Sequence, residues 1–331
     1  MNVLFIGGTG IISSACAALA AARGMRLTLL NRGQSSRPIP DGVEALHADV
    51  RDQTAVAQAL HGRTFDAVVN WIAFTPEHVE ADLALFRGRA GQYIFISSAS
   101  AYQTPPNRLP VTESTLLHNP FWAYSRNKIA CEERLLRAYR EEGFPMTLVR
   151  PSHTYDQTLL PMHGGYTIVD RMRRGARVIV HGDGTSLWTL THHRDFALGF
   201  VGLLGHPQAL GDVFHITSDE ALSWNQIYTA VAHAAGVDAP RLAHVPSDLI
   251  AAYDPDWGAS LLGDKAHSMI FDNSKIKRLV PEFNATIPFA QGAREILAWY
   301  DADPARRRVD DAFDQILERI LAAYDRAWPQ A

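Results

Sequence analysis

Cysteine is nearly absent: the 331 residues hold two, Cys16 and Cys131, and neither has a second cysteine at metal or redox spacing. That excludes a disulfide framework and a cysteine-based zinc site, and leaves both thiols as reduced core residues of predicted helices. Long apolar runs are missing too. No stretch of about 20 apolar residues offers a membrane span. The opening run Val3-Leu4-Phe5-Ile6 has no preceding basic region, apolar stretch or small-residue cleavage site of a signal peptide. A cytoplasmic protein with no membrane partner is the expectation. Nor does one charge dominate. With 31 Lys and Arg against 35 Asp and Glu, the net charge is −4, so no bulk field draws the chain to a phosphate backbone, and nucleic acid is not an expected partner.

What is present is a globular composition, 47% hydrophobic and 20% charged, enough for a sizeable core. Through the first half, short β-branched or apolar runs alternate with longer helical patterns, the signature of βαβ units. Strands are predicted over 3–6, 26–30, 44–47, 67–70, 92–97 and 147–150, with helices over 11–22, 53–60, 77–87 and 123–142. The expected fold is α/β, a doubly wound parallel sheet of Rossmann type, with residues 1–150 as the dinucleotide-binding domain. After Arg150 the texture changes, as Pro151, Pro161, Gly164-Gly165 and Arg171-Met172-Arg173-Arg174 break the alternation. Residues 151–331 are therefore expected to form mainly a smaller, interleaved substrate-binding region with C-terminal helices, while segments around 190–217 return to the first sheet. A strand over 177–180, a helix from Phe196, a strand over 213–217 and a final amphipathic helix over 309–327 are predicted there.

Directly after the first strand stands Gly7-Gly8-Thr9-Gly10-Ile11-Ile12-Ser13. Glycines let a backbone turn sharply and approach a pyrophosphate at a helix N-terminus, so Gly7, Thr9, Gly10, Ile11 and Ile12 are candidate cofactor ligands. Ser13 replaces the third glycine and is still small enough for close helix–strand packing. The second strand ends in Asn31-Arg32-Gly33, without the acid that binds an NAD ribose. Asn31 does not repel a 2′-phosphate, and Arg32, helped by Arg37, can pair with one; the balance favours NADP(H), with NAD(H) as the alternative. Asp49 and Val50 end the third strand where such folds contact adenine.

Tyr124-Ser125-Arg126-Asn127-Lys128 opens a long predicted helix, which puts Tyr124 and Lys128 on one face. A tyrosine titrates near 10 and needs a neighbouring cation to act as a base at neutral pH; Lys128 is placed to supply it. Upstream, Ser97-Ser98-Ala99-Ser100 brings hydroxyls to the carboxyl edge of the sheet, where one can polarise a substrate oxygen.

Together these residues resemble the extended short-chain dehydrogenase/reductase family, also called the NAD-dependent epimerase/dehydratase family. The likeness extends to Arg150–Tyr155 and the stretch 182–197. It implies Tyr124 as acid/base, Lys128 as its pKa-lowering and ribose-binding partner, and Ser98 as the polarising hydroxyl. It adds Trp71, Ile72, Ala73, Pro151 and His153 beside the cofactor, and Ser100, His153 and Trp188 beside the substrate. The implied reaction is hydride transfer at a hydroxyl or carbonyl carbon of a sugar, nucleotide-sugar or related polyol. A homodimer paired through the helix after Tyr124 is the implied assembly. The rival is a non-catalytic NAD(P)-binding regulatory or RNA-associated relative of the same fold.

Three departures matter. Ala99-Ser100 stands where sugar-nucleotide dehydratases carry Asp-Glu, which disfavours a 4,6-dehydratase. Trp188 takes the place of a diphosphate-holding Arg, and His153 that of an Asn. Arg171, Arg173, Arg174 and Arg177 are substitutes to consider, with a solvated helix face as the preferred reading. Adjacent His192 and His193 are predicted on a strand-like segment pointing to opposite faces, and no metal is expected. Trp122, Trp224 and Trp257 are read chiefly as packing residues, and 259–265 as a loop of unassigned role in the substrate region.

Overall fold

The computed structural model describes residues 1–327; positions 328–331 of the predicted C-terminal region lie outside the described residues. Six strands of the first half, β1 (Asn2–Ile6), β2 (Arg26–Asn31), β3 (Glu44–His47), β4 (Ala67–Asn70), β5 (Tyr93–Ile96) and β6 (Met146–Pro151), alternate with α1 (Ile11–Ala22), α2 (Gln53–Ala59), α3 (Pro76–Phe86) and α4 (Ala123–Glu142). A seventh strand, Val213–Ile216, comes from the second half and lies outside β6. The order is then β6, β5, β4, β1, β2, β3, parallel throughout. The topology reverses beside β1, whose Ile6 stands level with Leu30 on one side and Asn70 on the other.

The strands are nearly continuous apolar runs because helices cover both faces. Side chains alternate along each strand: Val3 and Phe5 pack in a layer with Cys16, Ala17 and Ala20 of α1 and with Phe196 and Phe200 of the helix His193–Leu203. Leu4 and Ile6 face the opposite layer, with Val56, Leu83, Phe86, Cys131 and Leu135. Both cysteines are free and buried.

Past β6 the predicted strand at 177–180 appears as Val178–His181 and stays out of the main sheet, pairing with Leu242–Val245. Leu190–His192 likewise pairs with His153–Tyr155, so the chain rejoins the large sheet at the helix 193–203 and the strand after it. A third apolar cluster, including Trp188, Trp224, Trp257, Phe289, Phe313 and Leu317, forms the core of the C-terminal region. His192 and His193 fall at the strand–helix junction with ring centroids 4.6 Å apart, packed together rather than on opposite faces, because the chain turns into a helix between them. Among the described residues no helix is long and apolar enough to cross a membrane, and none group as three or more His, Cys, Asp or Glu able to hold a metal.

Candidate active site

The carboxyl ends of the central strands deliver their loops to one edge, which carries three adjoining cavities. The first, about 430 Å³, is lined by Gly7, Thr9, Gly10, Asn31, Arg32, Asp49, Val50, Arg51 and Ile72, among others. Its floor requires glycine: Gly7 has φ +86°, and a Cβ there would lie 2.8 Å from Ile72 Cγ2, while one on Gly8 would lie 2.5 Å from Leu29 Cδ2. Ser13 does more than fit. Its hydroxyl accepts from Gly10 N at 2.7 Å and donates to Gly7 O at 3.1 Å, which closes the turn on itself and commits the Gly10 N–H. The N–H groups at the start of α1 still point to this edge, so the loop fits a dinucleotide pyrophosphate.

At the ribose end the predicted arginine pairing changes. Arg37 does not face the groove: it pairs with buried Asp156 and donates to Thr158 Oγ1 at 2.7 Å, which ties its loop to the chain after β6. Arg32, exposed and without an acidic partner among the described residues, shares the cavity lining with Arg51 instead. Burial, and more weakly Arg32, lower the Arg51 pKa, against the opposing pull of Asp82 and Asp49. Asn31 Oδ1 is engaged by Gly33 N at 2.8 Å.

The second cavity, about 410 Å³, shares Phe74 with the first. It brings together Ile11, Ile12, Trp71, Ser98, Ser100, Tyr124, Lys128, Pro151, His153 and Trp188. Asn119 sets the start of α4 by accepting from Phe121 N and Trp122 N at 3.2 and 3.1 Å, and Gly143 ends it in the left-handed conformation. Tyr124 is hydrogen-bonded to Ser98. Ser98 Oγ lies 2.9 Å from Ser100 Oγ, which accepts from Ser125 Oγ at 2.8 Å. Because Ser100 and Ser125 are buried, this hydroxyl chain runs inward and serves to hold the orientation of Ser98.

Lys128 departs from expectation in one respect. Its ammonium, 1% exposed, donates at 2.7 Å to both Ala73 O and Ile96 O. Burial pushes its pKa down to about 8, and burial pushes the Tyr124 phenol up to about 12 against the pull of Ser98. The phenol is thus held protonated at neutral pH rather than acidified by the lysine. Ala73 is fully buried and contributes its carbonyl as the lysine's anchor, not a cavity wall.

A third cavity, about 230 Å³, adjoins the second through His153, Leu159 and Lys265, and is walled by His163, His181, Trp224, Tyr228 and Trp257. Trp122 and Trp188 line the second, so all four tryptophans weighed in the sequence border the substrate side. Arg171, Arg173, Arg174 and Arg177 do not reach it. Arg171 is buried against Asp314 and Glu318, Arg173 chelates Asp301, Arg174 pairs with Asp170 and Asp314, and Arg177 holds Asp325. Arg173 and Arg174 still face solvent, as a solvated helix face would, while Arg171 is buried and the run clamps C-terminal helices. His153, where an Asn was expected, is neutral: burial and then nearby Lys265 lower its pKa to about 3.

Sequence reasoning missed Arg51 and Phe74, and placed Asp264 and Lys265 only in a substrate-region loop of unassigned role, a segment that is helical instead. Arg51 directly follows the Asp49-Val50 pair. Asp264 and Lys265 sit in a single π-helical turn, Leu261–Lys265, a feature that often marks functional sites. Their only sequence signal is a pair of opposite charges inside an otherwise small and apolar segment. Asn119 joins this turn to the catalytic edge, since its Nδ2 donates to both Ser100 O at 2.8 Å and Gly263 O at 2.6 Å. A Cβ on Gly263 would stand 2.8 Å from Trp122 Cβ, so glycine is needed for the approach.

Comparison with known proteins bears on the fold and the family. Over 292 residues the chain is 28% identical to the 2'-dehydrokanamycin reductase of Streptomyces kanamyceticus, covering 86% of this chain and 80% of that protein. It is 26% identical over 262 residues to the chloroplast stem-loop binding protein of 41 kDa b from Arabidopsis thaliana, covering 73% of this chain and 65% of the plant protein, just under two thirds. Among solved structures, the UDP-glucose 4-epimerase of Bifidobacterium longum, crystallised with NAD+ and UDP, superposes with a TM-score of 0.72 at 20% identity, over 92% of this chain and 99% of that one. The profile of the NAD dependent epimerase/dehydratase family matches residues 3–217, from β1 to the end of the seventh strand, and the chain belongs to that family.

Proposed function

We propose that this protein is an NADP(H)-dependent reductase of a carbonyl group on a sugar. The observation that carries the reading is the hydrogen-bonded Ser98–Tyr124 pair beside Lys128, in a cavity that shares a wall with the glycine-loop groove. When bound, the nicotinamide supplies the hydride. Ser98 donates a hydrogen bond to the substrate oxygen, and Tyr124 gives that oxygen its proton as negative charge develops. Lys128, anchored on two carbonyls, would hold a positive charge at the edge where the nicotinamide end of the cofactor would lie. The reductive direction is supported by burial of the Tyr124 phenol, which pushes its pKa up to about 12 and favours the proton-bearing, donating form. The name of the Streptomyces relative, a reductase, points the same way. Elimination of water is disfavoured because Asp264 is the single carboxylate among the described residues lining this cavity, and it is paired with Lys265. The Ser98, Tyr124 and Lys128 grouping also supports catalysis over the stem-loop binding named for the plant relative.

Deuterium on C4 of the nicotinamide tests direction. A reductase consumes one cofactor per turnover and leaves one label on the product carbon. Label recovered in the cofactor with no net consumption means an epimerase.

The cofactor preference rests on Arg32 and Arg51. A guanidinium on a 2′-phosphate makes charge-assisted bonds of roughly 1.5–3 kcal/mol, so NADPH is expected to bind about ten- to a hundredfold tighter than NADH. Arg32→Ala is expected to remove most of that gap, and Arg51→Ala part of it. Since both side chains are exposed, salt weakens NADPH binding more than NADH binding. Equal affinities in the wild type, read by fluorescence titration, would return both arginines to solvated loop charges.

A further inference from the structure

Lys265 and Asp264 have no part in the hydride chemistry, yet they stand inside its cavity. The backbone of Lys265 is clamped: His181 Nε2, Ser186 Oγ and Trp224 Nε1 all donate to its carbonyl, at 3.0, 3.1 and 3.2 Å. Its side chain is not. Nζ lies 5.5 Å from the Trp122 ring centroid and 5.8 Å from that of Trp188, both within reach of a cation–π contact. It meets Asp264 Oδ2 at 3.3 Å, longer than a strong charge-assisted bond. Asp264 is 9% exposed, and Lys265 is its only partner among the described residues, so a carboxylate with about four acceptor positions is left mostly unused at the wall of the cavity.

A desolvated carboxylate beside two indole faces is the chemistry that recognises an ammonium group. We propose that Asp264, Trp122 and Trp188 form an ammonium site for the substrate, occupied in the resting chain by its own Lys265, and that the substrate class is an amino sugar carrying no nucleotide. This rests on reading the cavity as the reaction site. The site lies next to the reacting oxygen, since the Trp122 and Tyr124 rings are 4.9 Å apart and the Asp264 charge is felt at the Tyr124 hydroxyl. An ammonium held there sits on a carbon near the one reduced. Nothing comparable awaits a diphosphate: among the described residues lining the second and third cavities there is no arginine, Lys128 is held on two carbonyls, and the charge of Lys265 is offset by Asp264 beside it. The third cavity, about 230 Å³ and adjoining the second through His153, Leu159 and Lys265, gives room for a second sugar ring.

The test is tryptophan-fluorescence titration of the full chain with kanamycin and glucosamine as amine probes, and glucose and UDP as probes without an amine. Kanamycin is expected to bind at least about tenfold tighter than UDP. Asp264→Asn is expected to weaken kanamycin about tenfold or more while leaving glucose unchanged. Lys265→Met is expected to tighten kanamycin at least about twofold, because the internal competitor is gone, and this result decides alone if Asp264→Asn does not fold. UDP binding that exceeds kanamycin binding and is lost in Lys265→Met would make Lys265 a phosphate ligand and overturn the proposal. So would unchanged or weaker kanamycin binding in Lys265→Met, or unchanged binding in Asp264→Asn. Hydride transfer to a nucleotide sugar without amine binding would sink this inference and leave the oxidoreductase reading standing; amine binding without hydride transfer would do the reverse.

Discussion

Tyr124→Phe is expected to lower turnover roughly 10²- to 10⁴-fold, the contribution of a positioned proton donor, while NADPH affinity stays within a few-fold. The substitution removes one hydroxyl from a ring that otherwise packs against Trp122 and Phe74, so fold and cofactor groove persist. Ser98→Ala is expected to fall by roughly 10²–10³, as for one hydrogen-bond donor to a developing oxyanion. Lys128→Ala is expected to damage both turnover and cofactor binding, because its ammonium bridges the Ala73 and Ile96 carbonyls at the junction of the two cavities. The check is single-turnover reduction with deuterated cofactor, where a primary isotope effect certifies that chemistry limits the rate. Near-wild-type turnover of Tyr124→Phe under that condition would reassign the acid, and Ser98 would be the next residue to examine.

Glu132→Ala is expected to destabilise the fold by about 3–5 kcal/mol, the cost of stranding one partner of a buried ion pair. Glu132 on α4 chelates Arg150 at the end of β6, with Nε to Oε1 at 2.9 Å and Nη2 to Oε2 at 2.5 Å, and the side chains are 0% and 4% exposed. The guanidinium also lies 4.7 Å over the Tyr102 ring, just past the Ser98–Ser100 turn. The pair therefore ties together the helix carrying Tyr124, the strand leading to His153 and the Ser98–Ser100 turn. Replacing both partners, as Glu132→Leu with Arg150→Met, is expected to be near neutral, since neither charge is then left alone. Urea unfolding measures both. A single-mutant loss below about 1 kcal/mol would mean that water reaches the pair, which its burial argues against.

The strands of the Rossmann half were legible because each is an apolar run ending in a turn residue, and local physics sets both. The glycine loop was legible for a similar reason: Gly7 needs a positive φ and Gly8 has no space for a side chain, and a sequence can announce such needs. The Tyr124 and Lys128 pair follows from helical spacing alone. Arg37 misled because pairing with Asp156 spans 119 residues of chain, and no local pattern distinguishes that contact from a reach toward the ribose. The same holds for Arg171, read as surface yet fully buried against a helix that begins 140 residues later.

By itself, then, the sequence determined the strands of the Rossmann half, the glycine turn after β1 and the placing of Tyr124 and Lys128 on one helix face, since each depends on neighbours within a few residues. Only the tertiary structure decided which cations line the groove, that burial pushes the phenol pKa up, and that Asp264 and Lys265 stand beside Tyr124. Those outcomes depend on burial and on partners supplied by distant segments: desolvation raises the phenol, and Asn119, which donates to Ser100 O, also reaches Gly263 O 144 residues away.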